Sequence, residues 1–147
     1  IFFASGGGQR MFESPIALAG MTRTTIAVNE LKKKEIPYLV IFVDPCAGGI
    51  TASFAMLSDI AFAEPGSLVA FAGKRVIQAT VKEELSPDFQ TAEFVEKHGF
   101  VDRVVHRKDI KEEVGTLLSI LLRKNSDIHL ENLNETSETN IQAREAS

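Results

Sequence analysis

The stretch Asp44-Pro45-Cys46-Ala47-Gly48-Gly49-Ile50-Thr51-Ala52-Ser53-Phe54-Ala55-Met56-Leu57-Ser58-Asp59, continued by Ile60-Ala61-Phe62-Ala63-Glu64-Pro65-Gly66, carries the strongest structural punctuation in the chain. The apolar run Tyr38 to Val43 just ahead of it predicts a strand buried on both faces, because no polar residue alternates through it. Asp44-Pro45 then predicts a turn, and Gly48-Gly49 lets the backbone bend sharply before a helix over Ile50 to Ser58. A strand from Ile60 follows. The first turn of a helix leaves unpaired N–H groups, and two residues without side chains leave its backbone approachable. That combination suits a developing oxyanion or a phosphate.

Working outward, Ile1 to Ala4 predicts a buried strand ending in a second glycine turn, Ser5-Gly6-Gly7-Gly8-Gln9-Arg10-Met11. Ser14 as N-cap with Pro15 at the first helical position predicts a helix from Ile16 to about Glu35, closed by Lys32 to Lys34 and broken at Ile36-Pro37. These pieces make one βαβ unit. Downstream, Ser67 to Ala72 predicts a short strand, Gly73-Lys74-Arg75 a turn and Val76 to Val81 a helix. Ser86-Pro87 repeats the cap-then-proline pattern before a helix over Asp88 to His98 that Gly99 closes, and Phe100 to Val105 predicts another strand. Asp109 caps a last helix whose Ile110, Val114, Leu117, Leu118, Leu121 and Leu122 form one apolar stripe. From Asn125 to Ser147 aromatic residues vanish while Asp127, Glu131, Glu135, Glu138 and Glu145 face a lone Arg144, the composition of an acidic, disordered tail.

The 147 residues, 44% of them apolar and ten of them Phe, suffice for one core, here assigned to residues 1–124 with the tail at 125–147. A net charge of −4 with no basic face argues against nucleic acid, and Lys32-Lys33-Lys34 reads as a solvated helix end. A single cysteine excludes an intrachain disulfide and a cysteine-built zinc site and fits a reducing compartment. Cys46 reads as a small buried thiol. No run approaches the roughly 18 apolar residues that span a bilayer. The chain opens on Ile1-Phe2-Phe3, a strand already under way, and is expected to begin inside a domain.

Two glycine turns in one short chain could meet and hold one carbonyl oxygen between backbone amides. Spacing alone favours two ordinary tight turns, since Gly-Gly pairs are common and neither turn has the G-x-x-x-x-G-K-[ST] phosphate fingerprint. Ser53 with His98 or His106 is a weaker candidate for nucleophile and base, with nothing to orient the pair. Asp59 and Glu64 read as structural carboxylates. Arg10 and Arg75, each directly after a glycine turn, suit a phosphate or carboxylate.

The central stretch, with Phe71-Ala72-Gly73-Lys74-Arg75-Val76-Ile77, strongly resembles the carboxyltransferase β subunit of multi-subunit acetyl-CoA carboxylase. Ser5-Gly6-Gly7-Gly8-Gln9-Arg10-Met11-Phe12-Glu13 is similar to that family's Ser-Gly-Gly-Ala-Arg-Met-Gln-Glu segment. Phe89-Gln90, Glu93-Phe94, His98-Gly99 and Val101-Asp102 match its closing helix and strand, so the likeness runs from about Phe3 to Leu122.

The resemblance implies an α/β fold, a ClpP/crotonase-like spiral of ββα units. It implies an oxyanion hole of backbone amides at Gly7, Gly8, Gly48 and Gly49, with Arg10, Phe71, Gly73 and Arg75 on the substrate. The implied reaction moves the carboxyl group of carboxybiotin, held on a carrier protein, to acetyl-CoA and gives malonyl-CoA for fatty acid synthesis. The biotin ureido group takes the methyl proton in the family mechanism. Implied partners are a carboxyltransferase α subunit in an α2β2 assembly, biotin carboxyl carrier protein and biotin carboxylase. Zinc is expected only in an N-terminal cysteine-rich ribbon that precedes the matched segment. Lys74 is similar to plastid-encoded members and implies the chloroplast stroma, with the bacterial cytoplasm as the alternative.

Cys46-Ala47 stands where the family has two threonines, and the first turn is one residue longer. These departures leave open a non-catalytic assembly subunit. A ClpP-like serine peptidase using Ser53 is a third reading.

Overall fold

The computed structural model describes residues 1–8, 11–82 and 84–122, without the side chains of Met11, Arg75 and Val81. The predicted acidic tail, 125–147, lies outside the described residues, as does Arg10. The chain divides into two compact units, Ile1–Lys108 and Asp109–Ser147.

The first unit is an α/β layer built on a parallel sheet. β1 (Phe2–Gly6) is followed by a 3-10 turn (Met11–Glu13) and the long helix α1 (Ser14–Lys33), then β2 (Leu39–Ala47), β3 (Ile60–Ala63), β4 (Val69–Ala70), α2 (Lys74–Val81), α3 (Ala92–Lys97) and β5 (Arg103–Val104). The strands run in the order β1-β2-β3-β5, all parallel, with β4 paired to the far end of β2. β2 is the axis of the sheet. Leu39, Val40, Ile41 and Phe42 are each at most 1% exposed, as a strand covered on both faces requires. The core around it takes Ala4, Val28, Tyr38, Phe54, Ala55, Val69, Val95 and Val101, and Phe2 meets Phe54 edge-on at 5.4 Å.

Three local features differ from the sequence expectation. β2 does not turn at Asp44-Pro45; it continues to Ala47, pairing Cys46 with Gly6 on one side and Val69 on the other. The Asp44 carboxylate accepts the Leu68 N–H at 3.0 Å, which ties this extension to the segment entering β4. After Gly48-Gly49 no regular helix forms: turns lead into a 3-10 segment of three residues, Ala55–Leu57. The Ser53 hydroxyl donates to the Gly49 carbonyl at 2.5 Å, while the Ser53 and Ala55 amides both go to Ile50, so the i−4 ladder is interrupted. Finally, the helix predicted over Asp88 to His98 is confined to Ala92–Lys97. Gln90 sits at φ +66, which a right-handed helix cannot contain, and Thr91 becomes the cap, its hydroxyl accepting the Phe94 N–H at 3.3 Å.

The other elements are close to expectation. Ser14 is the first residue of α1 rather than its cap, because the preceding 3-10 turn already winds the chain, and Pro15 keeps its first-turn place. The strand predicted over Ser67 to Ala72 shortens to Val69–Ala70, since the Ala70 and Phe71 carbonyls both receive the Gly48 N–H. Gly99 closes α3 at φ +75. The second unit contributes α4 (Ile110–Leu121), with Asp109 at its cap position making no side-chain cap hydrogen bond.

Candidate active site

Parallel pairing of β1 with β2 puts the C-terminal ends of both strands on the same edge, so the turns that follow them must meet. They do so at backbone distance. A Cβ built on Gly48 would stand 3.3 Å from the Gly8 Cα. Gly48 lies at φ +74 and Gly8 at φ +112, conformations that a side chain would strain. Between the turns and α1 is a cavity of about 160 Å³ lined by Gly8, Ala17, Met21, Gly49 and Ile50.

The amides around this cavity are not equivalent. The Gly48 N–H is shared between the Ala70 and Phe71 carbonyls at 3.1 Å each, so it is engaged in holding the turn. Among the described residues, the Gly7, Gly8 and Gly49 amides donate to no protein acceptor. The sequence grouped all four glycines together; the geometry leaves Gly8 and Gly49 as the free donors that share one cavity.

Phe71 is 69% exposed and lines a second, larger cavity of about 420 Å³, whose wall also includes Thr51 and Ala52 from the loop after Gly49. Gly73 caps α2 and its carbonyl accepts the Val76 and Ile77 amides; a Cβ there would meet nothing within 4 Å. Arg75 belongs to the first turn of α2, with its side chain outside the described atoms.

Side chains that could have served as bases or nucleophiles are tied into the scaffold. Asp59 accepts the Tyr38 N–H at 2.8 Å and Asp102 the Ala61 N–H at 2.7 Å. Glu64 is held by Arg107 through both carboxylate oxygens, at 2.5 and 2.8 Å, which lowers its pKa below the usual carboxylate range. His98 stacks on Phe94 and pairs with its carbonyl at 2.7 Å, so neither it nor the Ser53 hydroxyl, bonded to Gly49, forms a nucleophile–base couple. Burial pushes the Cys46 thiol up, against a smaller opposing effect of Thr51 at 3.5 Å, and keeps it a neutral core group. Neither Cys46 nor Ala47 lines either cavity.

No protein-family model matches the chain. A carboxyl transferase subunit β of acetyl-coenzyme A carboxylase from Pelagibacter ubique is 63% identical over 138 residues, covering 94% of this chain and 44% of the relative. The chain belongs to this β-subunit family. The Caulobacter vibrioides member is 52% identical over 83% of this chain and 40% of its own length, so the chain spans less than half of the relatives it matches. A Natranaerobius thermophilus relative, 49% identical over 82% of this chain and 20% of its own length, is named for subunits beta/alpha together.

Among solved structures, a transcarboxylase 12S described with methylmalonyl-coenzyme A bound superposes with a TM-score of 0.67 at 26% identity, over 80% of this chain and 23% of that one. A Pseudomonas malonate decarboxylase hetero-dimer superposes at TM-score 0.62 and 18% identity, over 90% and 60%, which bears on fold alone. The crotonase-like fold expected from the sequence is thus the fold observed. These β subunits are bacterial, and Lys74, the residue that pointed to a plastid, donates to the Pro87 carbonyl at 2.9 Å. Among the described residues no helix is long and apolar enough to cross a membrane, and no group of three or more His, Cys, Asp or Glu side chains could hold a metal.

Met21, whose sulfur would lie 3.3 Å from a Cβ on Gly49, carries no local signal, because its approach is set by how α1 crosses the sheet.

Proposed function

We propose that this chain carries the acyl-thioester half of a carboxyl transferase site, as part of an acetyl-CoA carboxylase β subunit in a bacterial cytoplasm. The observation that carries the proposal is the close approach of Gly8 and Gly48, with the free Gly8 and Gly49 amides on one cavity. The acetyl thioester oxygen lies between those two N–H groups. Removing a methyl proton from acetyl-CoA places negative charge on that oxygen, and fixed amides stabilise it without moving a side chain. Biotin on its carrier protein supplies the carboxyl group and a nitrogen to take the proton. The chain's own part is to bind the oxygen, keep the turn rigid through the Gly48 bonds to Ala70 and Phe71, and offer Phe71, Gly73, Arg75 and Arg10 to the rest of the substrate.

This division asks for no side-chain base, in keeping with Asp59, Asp102 and Glu64 serving as main-chain acceptors or ion-pair partners. The partners are a carboxyltransferase α subunit, in an α2β2 assembly, with biotin carboxyl carrier protein and biotin carboxylase. The non-catalytic alternative drew on Cys46 and Ala47, and neither lines either cavity, which favours the catalytic reading. Malonyl-CoA formation by the full β subunit with its α subunit and carboxybiotin tests it. Turnover is expected; assembly without turnover would contradict it.

A further inference from the structure

We infer that Met21 sets acyl length at the glycine-lined cavity, so that the site takes a two-carbon acyl thioester and discriminates against its longer homologues. The inference rests on the carboxyl-transfer reading and adds to it a specificity-determining side chain.

The 160 Å³ cavity has two kinds of wall. Gly8 and Gly49 bring main-chain donors, while the side chains that line it, Ala17, Met21 and Ile50, are all apolar. Ile50 is committed elsewhere: its Cδ1 lies 2.6 Å from where a Cβ on Gly6 would stand, at the end of β1. Ala17 and Met21 are one turn apart on one face of α1, and Val28, two turns further on, is buried on that same face. Ala17 offers only a methyl group. Met21 reaches the turn, its sulfur 3.3 Å from the Cβ position of Gly49, the residue whose amide would hold the oxygen. It also packs against the buried core, so the turn on one side and the core on the other leave its side chain little room to swing away.

The shape of a thioester then decides what meets Met21. Its carbonyl carbon is planar and carries three substituents. With the oxygen between the Gly8 and Gly49 amides, the sulfur faces the opening, because coenzyme A is far too large for a space of about five water volumes. The remaining substituent, the acyl carbon, points at the side-chain wall, where Met21 limits its length. The C–H bond that breaks stands out of the carbonyl plane, so a contact with Met21 in that plane leaves the reacting face uncovered. One methylene too many in an apolar pocket costs about 10–200-fold in kcat/KM.

The test measures kcat/KM for acetyl-CoA and propionyl-CoA with the full β subunit assembled with its α subunit and carboxybiotin. Binding of the same two thioesters is measured by calorimetry without carboxybiotin. The unaltered protein is expected to favour acetyl-CoA by about tenfold or more in both measurements, and Met21→Ala to bring the two thioesters within about threefold. Met21→Leu, of nearly equal volume, is expected to keep the preference. Met21→Val shortens the side chain less and moves the ratio in the same direction, which keeps the test decisive if the alanine variant does not fold. Equal binding of the two thioesters by the unaltered protein, or a preference that neither shortened variant reduces, would overturn the inference. Carboxylation of acetyl-CoA with an unmoved preference removes this inference alone; a binding preference that follows Met21, with no carboxylation by the unaltered protein, removes the catalytic reading alone.

Discussion

Gly8 and Gly48 approach so closely that a methyl group on Gly48 would stand 3.3 Å from the Gly8 Cα, backbone against backbone. Gly48→Ala therefore meets a left-handed backbone and a contact that cannot rotate away. A loss of about 1–3 kcal/mol in unfolding free energy is expected, together with a fall in kcat as the turns are pushed apart. Gly7→Ala is the control. A Cβ there meets nothing within 4 Å, and stability within about 0.5 kcal/mol of the parent is expected by denaturant titration.

Cys46 is fully buried and its thiol is held above its usual pKa by desolvation. In the folded protein it should resist alkylation by iodoacetamide at pH 8 and react at the rate of a model thiol once denaturant is added. Rapid labelling of the native protein, read by mass spectrometry, would place the sulfur at the surface instead.

The Glu64–Arg107 pair lowers the Glu64 pKa in the folded state. A depressed carboxylate contributes its stability above the unfolded pKa of about 4.3 and loses it as pH falls, because the unfolded chain takes up the proton first. Arg107→Ala should therefore lose less stability than the parent between pH 5 and pH 3, with the two curves converging at the acid end. Parallel curves from urea melts at each pH would contradict this linkage.

Phe42 is fully buried in β2 at the centre of the sheet. Phe42→Ala should cost about 3–5 kcal/mol, measured as a shift of the urea midpoint at unchanged m-value. A change under 1 kcal/mol would mean that β2 does not organise the core.

Elements with a strong local signal are legible in the sequence. The unbroken apolar run into β2, the proline at the start of α1, the glycine after α3 and the stripe of α4 each express one dominant local preference, and each element is present. The parts that were not legible depend on partners distant in sequence. Asp44-Pro45 reads as a turn locally, but Leu68 and Val69 hold it as strand. Ile50 to Ser58 reads as a helix, but the Ser53 hydroxyl and the geometry of the Gly48 turn prevent a regular ladder. Within the site, the meeting of two glycine turns could be suspected from their recurrence; which amide stays free could not, because the Gly48 N–H is engaged by carbonyls more than twenty residues away.

The proposed function places the acetyl thioester oxygen between the Gly8 and Gly49 amides. Isotope-edited infrared difference spectroscopy of acetyl-CoA labelled with 13C at the thioester carbonyl, bound to the assembled transferase, reads that contact directly. A carbonyl band displaced to lower frequency than in water is expected, with the displacement reduced in Gly48→Ala. A bound thioester whose carbonyl band matches that of free acetyl-CoA would contradict it.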